Sequence, residues 1–357
     1  MATTSVLTVV GNRPQYIKCA AVSPPLRAVA HEVLLDTGQH YDHELAGVFF
    51  EQLGLPAPDI SLGVGSGTHA EQTGRIMVGV EAAIAERRPD LVLVYGDTNS
   101  TLAAGLAAVK VHVPVAHVEA GLRSFDRRMP EEVNRVLTDR LSRLLFCPTT
   151  VAVENLAAEG IVDGVHLVGD VMYDLALRAL TPALEAQVLE RFAVAPGEYV
   201  YATVHRPVNA DSPDRLAAIV GVLAHLEQPV VFAVHPRTRA TLARERLLES
   251  LGDAVRVTPP VGYFESLALI RNARAVATDS GGMQKEAFML RTPCVTMRDT
   301  SEWVETLEYG WNVLVDADPE RLAAALAAAA PGDDAPDCYG GGDAGRRIAA
   351  VIADVFG

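Results

Sequence analysis

Short apolar runs rich in Val and Leu alternate along the chain with longer stretches of helical periodicity. Residues 5–11 (SVLTVVG), 32–38 (EVLLDTG), 90–97 (DLVLVYGD), 113–121 (VPVAHVEAG) and 144–149 (LLFCPT) read as strands. Between them, TLAAGLAAVK (101–110) and PEEVNRVLTDRLS (130–142) read as helices, the second with Pro at its first position and acids in its first turn. Strand–helix alternation of this kind predicts a doubly wound parallel sheet. The pattern restarts in the second half, with strands at 199–205, 229–235, 254–260, 273–279 and 293–299 and helices at 213–226, 264–272 and from 281. The prediction is therefore an α/β protein of two doubly wound domains, 1–168 and 169–342. A last helix at 343–357 is placed to pack back on the first domain. Two such domains facing each other leave a cleft at the carboxyl ends of their strands, where ligands of open α/β sheets bind.

Composition narrows the function. The net charge is −15, from 45 acidic and 30 basic residues, which excludes a broad nucleic-acid-binding face but not a local phosphate site. Cys19, Cys147, Cys294 and Cys338 are far apart, so neither a metal nor a redox pair is expected. Free thiols fit a cytoplasmic protein. The N-terminus carries no signal-peptide pattern, and the most apolar tract, LAAALAAAA (322–330), is too short to cross a bilayer. No membrane association is predicted.

The chemistry gathers at the predicted strand ends. The first half delivers Arg13 and Lys18 after the first strand, Gln39, His40 and Asp42 after the second, then Asp97, then His117 and Glu119. Glu131 and Arg135 follow on the 130–142 helix. The second half delivers His205 and Arg206, His235 and Arg237, the turn Ser280-Gly281-Gly282, and Arg298 and Asp299. Each has a plainer reading: Glu131 can complement a helix dipole, Asp97 and Ser280 can cap helices, and His205 can be a core histidine. The stretch ATDSGGMQKEAF (277–288) is the most suggestive. Two glycines at a helix start allow a phosphate to approach the unpaired N–H groups, and Glu286, one turn on, can accept from ribose hydroxyls. No Rossmann glycine fingerprint, Walker motif, nucleophile elbow or zincin motif is present.

In this order, GNRPQYIK, TGQHYD, YGDTNSTLA, HVEAGLRS, RMPEEVNR, VHRPVN, HPRT, TDSGGMQKEA and MRDTSEW closely resemble the non-hydrolysing UDP-N-acetylglucosamine 2-epimerases. The resemblance implies the GT-B architecture, two Rossmann-like domains with the active site between them, usually in a homodimer. It implies a UDP-sugar substrate and neither metal nor redox cofactor. The family's catalytic acids fall on Asp97, Glu119 and Glu131, with Arg135 in support and His205 beside the phosphates. Arg13, Lys18, Ser280, Gly281, Gly282 and Glu286 fall on its nucleotide-binding positions, with His235 and Arg298 as further candidates.

The departures also carry expectations. Gln15 stands where many members have Glu, and Pro207 and Val208 replace a more usual Ala-Glu or Arg-Glu. Positions linked in some members to activation by a second substrate molecule are Asp42, Glu71 and Gln72 here, a set that argues against such activation. YGDTNSTLA, RMPEEVNR, QKEAF and MRDTSEWVE look most like the branch acting on UDP-2,3-diacetamido-2,3-dideoxyglucuronate. The expected substrate is UDP-GlcNAc, with that uronate as the alternative and a GT-B glycosyltransferase as the reading from another class.

Overall fold

The computed structural model describes residues 4–39, 53–301, 303–332 and 337–357. The chain divides into two compact units, Met1–Leu177 with Asp337–Gly357, and Arg178–Pro336. In the first, β1 (Ser5–Val10), β2 (His31–Asp36), β3 (Ile60–Ser61), β4 (Leu91–Tyr95), β5 (Val115–Val118), β6 (Leu144–Cys147) and β7 (Val165–Leu167) form one sheet in the order β3-β2-β1-β4-β5-β6-β7. In the second, β8 (Val200–Val204), β9 (Val230–Val234), β10 (Val255–Thr258), β11 (Ala275–Thr278), β12 (Cys294–Thr296) and β13 (Asn312–Leu314) take the order β10-β9-β8-β11-β12-β13.

The central pairings, β1 with β2 and β4 and β8 with β9 and β11, are parallel. Both sheets are thus the expected doubly wound kind, each reversing direction next to its first strand, between β1 and β4 and between β8 and β11. The central strands are largely buried and mostly apolar because helices cover both faces. Val92 and Val94 pack against Ile76 and Val80 of the helix His69–Arg87, and Val230 and Phe232 against Leu216, Ile219 and Val220 of the helix Pro213–Ala224.

Residues 169–177, assigned to the second domain from sequence, belong by their contacts to the first unit. The Asp170 N–H donates to the Tyr339 carbonyl at 2.8 Å. Asp174 accepts from the first N–H groups of the C-terminal helix Ala344–Phe356, Ala344 at 3.1 Å and Gly345 at 2.7 Å. The segment 169–177 is thereby tied to the returning chain. The apolar face of that last helix, Ile348, Ala349 and Ile352, is buried, and the helix contacts the helix Arg13–Arg27. Among the described residues no helix is long and apolar enough to cross a membrane.

Candidate functional site

In the first unit the candidates follow the neighbouring strands β1, β4 and β5. Fully buried β4 ends at Gly96, whose φ of +62° is left-handed. A Cβ there would lie 3.0 Å from Lys18 Nζ and 3.4 Å from Glu119 Oε2, so glycine serves both the backbone turn and the space beside that pair. Lys18 and Glu119 form an ion pair, both side chains largely buried. Glu119 itself has φ +73°. For a residue with a side chain this conformation costs on the order of 1–3 kcal/mol and persists only where the surroundings enforce it. Here the N–H groups of Glu119 and Ala120 both donate to the Phe146 carbonyl at 3.1 Å.

Asp97 is half-buried and ion-paired with Arg135, while Asn134 Nδ2 donates to the Asp97 carbonyl at 2.9 Å. Arg135 also donates to Glu132 at 2.8 Å. Both belong to the helix Pro130–Leu141, whose first-turn acids diverge. Glu132 is buried and accepts from the Ser124 N–H and hydroxyl and the Phe125 N–H, at 2.9, 3.0 and 3.0 Å. Burial opposes its charge, but these hydrogen bonds outweigh it and lower the carboxyl below its ordinary range. Glu131 is exposed and makes no ion pair among the described residues. It is the carboxylate left available to a ligand.

Beneath these groups lies a buried polar network. His117 on β5 is fully buried, with Nδ1 2.7 Å from Asp139 Oδ1 and Nε2 2.7 Å from the Gly96 carbonyl. Asp139 Oδ2 accepts from the Gly121 N–H at 3.1 Å and Arg123 Nη1 at 2.7 Å. Burial raises the Asp139 carboxyl, yet His117 and Arg123 outweigh it and hold it low. Gln15, also buried, donates its amide to the Tyr95 carbonyl at 2.8 Å and to the Thr98 and Thr101 hydroxyls at 3.0 and 2.9 Å. A carboxylate in that place could not donate to the carbonyl. Arg13 is the exposed first residue of its helix, which Asn12 caps by accepting from Gln15 N–H at 3.1 Å.

In the second unit, four adjacent strands deliver their candidates at their carboxyl ends: His235 after β9, His205 after β8, the Asp279-Ser280 turn after β11, and Arg298 after β12. Asp279 is fully buried. It accepts from the N–H groups of His205 and Arg206, each at 3.0 Å, and from Asn209 Nδ2 at 3.1 Å, and lies 3.2 Å from His205 Nδ1. Burial opposes its ionisation, but His205 and the other donors outweigh it and keep the carboxyl low. His235 Nδ1 accepts from the Arg237 N–H at 3.2 Å, and burial, His205 and Arg237 lower its pKa. Arg298 is half-buried.

Ser280 is the N-cap of the helix Gly281–Met289 by position, but its hydroxyl makes no capping bond. Neither Gly281 nor Gly282 has a positive φ, so backbone twist does not explain them. A Cβ on Gly282 would meet no atom within 4 Å. Gly281 is buried and Gly282 exposed, so it is Gly282 that leaves open approach to the helix N-terminus, with half-buried Glu286 one turn further on.

Asp139, Asn134 and Asn209 were not singled out from sequence. Asp139 follows Arg135 by four residues and Glu131 by eight, a helical spacing that could have put it on the same face. Glu71 closes a capping box on its own helix, accepting from the Thr68 N–H and hydroxyl at 3.0 Å each. His40 and Asp42 lie outside the described residues. Among those residues no group of three or more His, Cys, Asp or Glu side chains is arranged for a metal ion.

A family profile described as UDP-N-acetylglucosamine 2-epimerase matches residues 26–353. The chain is 47% identical over 363 residues to a UDP-2,3-diacetamido-2,3-dideoxy-D-glucuronate 2-epimerase of Pseudomonas aeruginosa, covering 98% of this chain and 99% of the relative. It is 44% identical over 355 residues to a UDP-N-acetylglucosamine 2-epimerase homolog of Methanococcus maripaludis, with coverage of 98% and 99%. Its fold matches the crystal structure of Methanocaldococcus jannaschii UDP-GlcNAc 2-epimerase in complex with UDP-GlcNAc and UDP at a TM-score of 0.84 and 38% identity, covering 98% and 100% of the two chains.

Proposed function

Because this chain belongs to the UDP-N-acetylglucosamine 2-epimerase family, we propose that it interconverts UDP-GlcNAc and UDP-ManNAc without net hydrolysis. The observation carrying this reading is the set of carboxylates Asp97, Glu119 and Glu131, the first two at adjacent strand ends and paired with Arg135 and Lys18. The sugar C2–H has no neighbouring carbonyl and is not acidic by itself. Breaking C1–O sends its electron pair to the leaving diphosphate and builds positive charge at C1. A carboxylate then takes the C2 proton, the C1=C2 bond of a 2-acetamidoglucal forms, and UDP is free. In the second stage a proton is delivered to the opposite face of C2 and a diphosphate oxygen re-attacks C1. Two faces require more than one acid–base group, and the leaving diphosphate requires cations and N–H donors. In this reading Arg13, His205, His235, Arg298 and the Ser280-Gly281-Gly282 turn receive the diphosphate, Glu286 holds the ribose, and Lys18 and Arg135 hold their carboxylates in place by ion pairing.

A second reading, 2-epimerisation of UDP-2,3-diacetamido-2,3-dideoxyglucuronate, is favoured by the 47% identity to the Pseudomonas relative. Incubating the chain with each sugar nucleotide and following the C2 epimers by proton NMR tests both. Turnover of the uronate alone reassigns the substrate, and turnover of neither refutes the epimerase reading. We also read the chain as a homodimer, because Phe125 (78% exposed), Val133 and Leu137 leave an apolar ledge on the first unit. A monomeric mass by light scattering would contradict that.

A further inference from the structure

We propose that His117 is a positioning residue that ties the three carboxylate-bearing elements of the first unit together. The inference rests on the epimerase reading for its effect on turnover, but not for its geometry. Both ring nitrogens meet acceptors. Nε2 is 2.7 Å from the Gly96 carbonyl, which can only accept, so that nitrogen carries a hydrogen. Nδ1 is 2.7 Å from Asp139 Oδ1. Asp139 already accepts from the Gly121 N–H and from Arg123 on its other oxygen, contacts that favour the carboxylate. Both ring nitrogens are thus engaged, and the ring is closed off from water.

The position of this side chain gives it consequence. Gly96 is the left-handed residue immediately before Asp97. His117 lies two residues before Glu119 on β5. Asp139 lies one turn after Arg135, the partner of Asp97, and two turns after Glu131. One imidazole ring thus joins the end of β4, the end of β5 and the helix Pro130–Leu141. A buried polar group left without its partners is costly, so the geometry that keeps both hydrogen bonds is favoured. Displacement of a catalytic group by about 1 Å can cost roughly 10²-fold in rate.

Three replacements separate this role from simple core filling. His117→Phe fills the volume without a donor, His117→Asn can reach Asp139 but not the Gly96 carbonyl, and His117→Gln can reach the Gly96 carbonyl. For variants with wild-type circular dichroism, kcat is expected to fall roughly 10²-fold in the Phe and Asn forms and to recover in part in the Gln form. KM and UDP affinity should change little. Equal kcat in all three, or losses confined to KM, would overturn the positioning role. Should the variants not fold, the wild-type chain with ¹⁵N-labelled histidine still tests the proposal: the fully buried ring should show Nε2 protonated and hydrogen-bonded to the Gly96 carbonyl, and an unprotonated Nε2 would refute it. A wild-type chain that shows this bond but epimerises neither sugar nucleotide would overturn the functional reading while leaving the bridge intact.

Discussion

Asp97 and Glu119 each hold a cation at a strand end, whereas Glu131 stands exposed with none, so the three carboxylates differ in their charge partners. Asp97→Asn, Glu119→Gln and Glu131→Gln should each lower kcat by roughly 10²-fold or more, the worth of an acid–base group, with the fold retained. Near-normal turnover in any of them would leave that residue a charge partner or helix-dipole acid. Buried Asp139 and Asp279 carry a different consequence. Their folded pKa values lie below the unfolded value, so the stability they confer is present above about pH 4 and is lost as pH falls through the folded pKa. Urea unfolding should weaken steeply only below about pH 4, and Asp279→Asn should flatten that fall. An unchanged slope would show that Asp279 carries no linked protonation. Asp97 and Glu119 were legible because each closes an apolar run with an acid. Asp139 was not, because its partners, His117 and Arg123, come from a strand and a loop that only the fold brings beside it.

The strands missed in the sequence, β3, β7 and β13, are all edge strands of two or three residues. Apart from buried Asn312 their residues are half-buried or exposed, and they present no apolar run to read. The buried central strands were legible for the opposite reason. At the helix Gly281–Met289 the sequence suggested a phosphate cradle with a serine cap, and the absent hydroxyl bond leaves the glycines as the feature to test. Gly282→Val is informative because a Cβ there would meet no atom within 4 Å. The variant should fold normally yet bind UDP more weakly, by obstruction of the ligand alone. Glu286→Ala should weaken UDP by about 1.5–3 kcal/mol, the worth of hydrogen bonds to a charged acceptor, or roughly ten- to a hundred-fold. Calorimetric titration of UDP into both folded variants checks this. Unchanged affinity in both would place the nucleotide elsewhere.

At the scale of the whole chain, the repeated strand–helix alternation made two doubly wound units legible, but not where the chain changes hands. That depends on Asp170 and Asp174 holding the returning segment, contacts between residues about 170 positions apart. The reaction proposed for the chain requires carboxylates, for which the first unit holds the candidates, and phosphate donors, for which the turn Ser280-Gly281-Gly282 and the histidines of the second unit are the candidates. If UDP leaves before the C2 proton is replaced, the sugar passes through a glycal whose C2 carries no hydrogen. The proton removed on one face and the proton added on the other then belong to different groups, and the group that delivers exchanges with water between turnovers. In D₂O the epimerised product should therefore carry deuterium at C2, read as loss of the C2–H resonance by NMR. The UDP-binding variants Gly282→Val and Glu286→Ala should lower the rate of incorporation without changing its position. Quantitative retention of the original hydrogen at C2 would sink elimination with exchange on two faces and require a single base that returns the proton it removed.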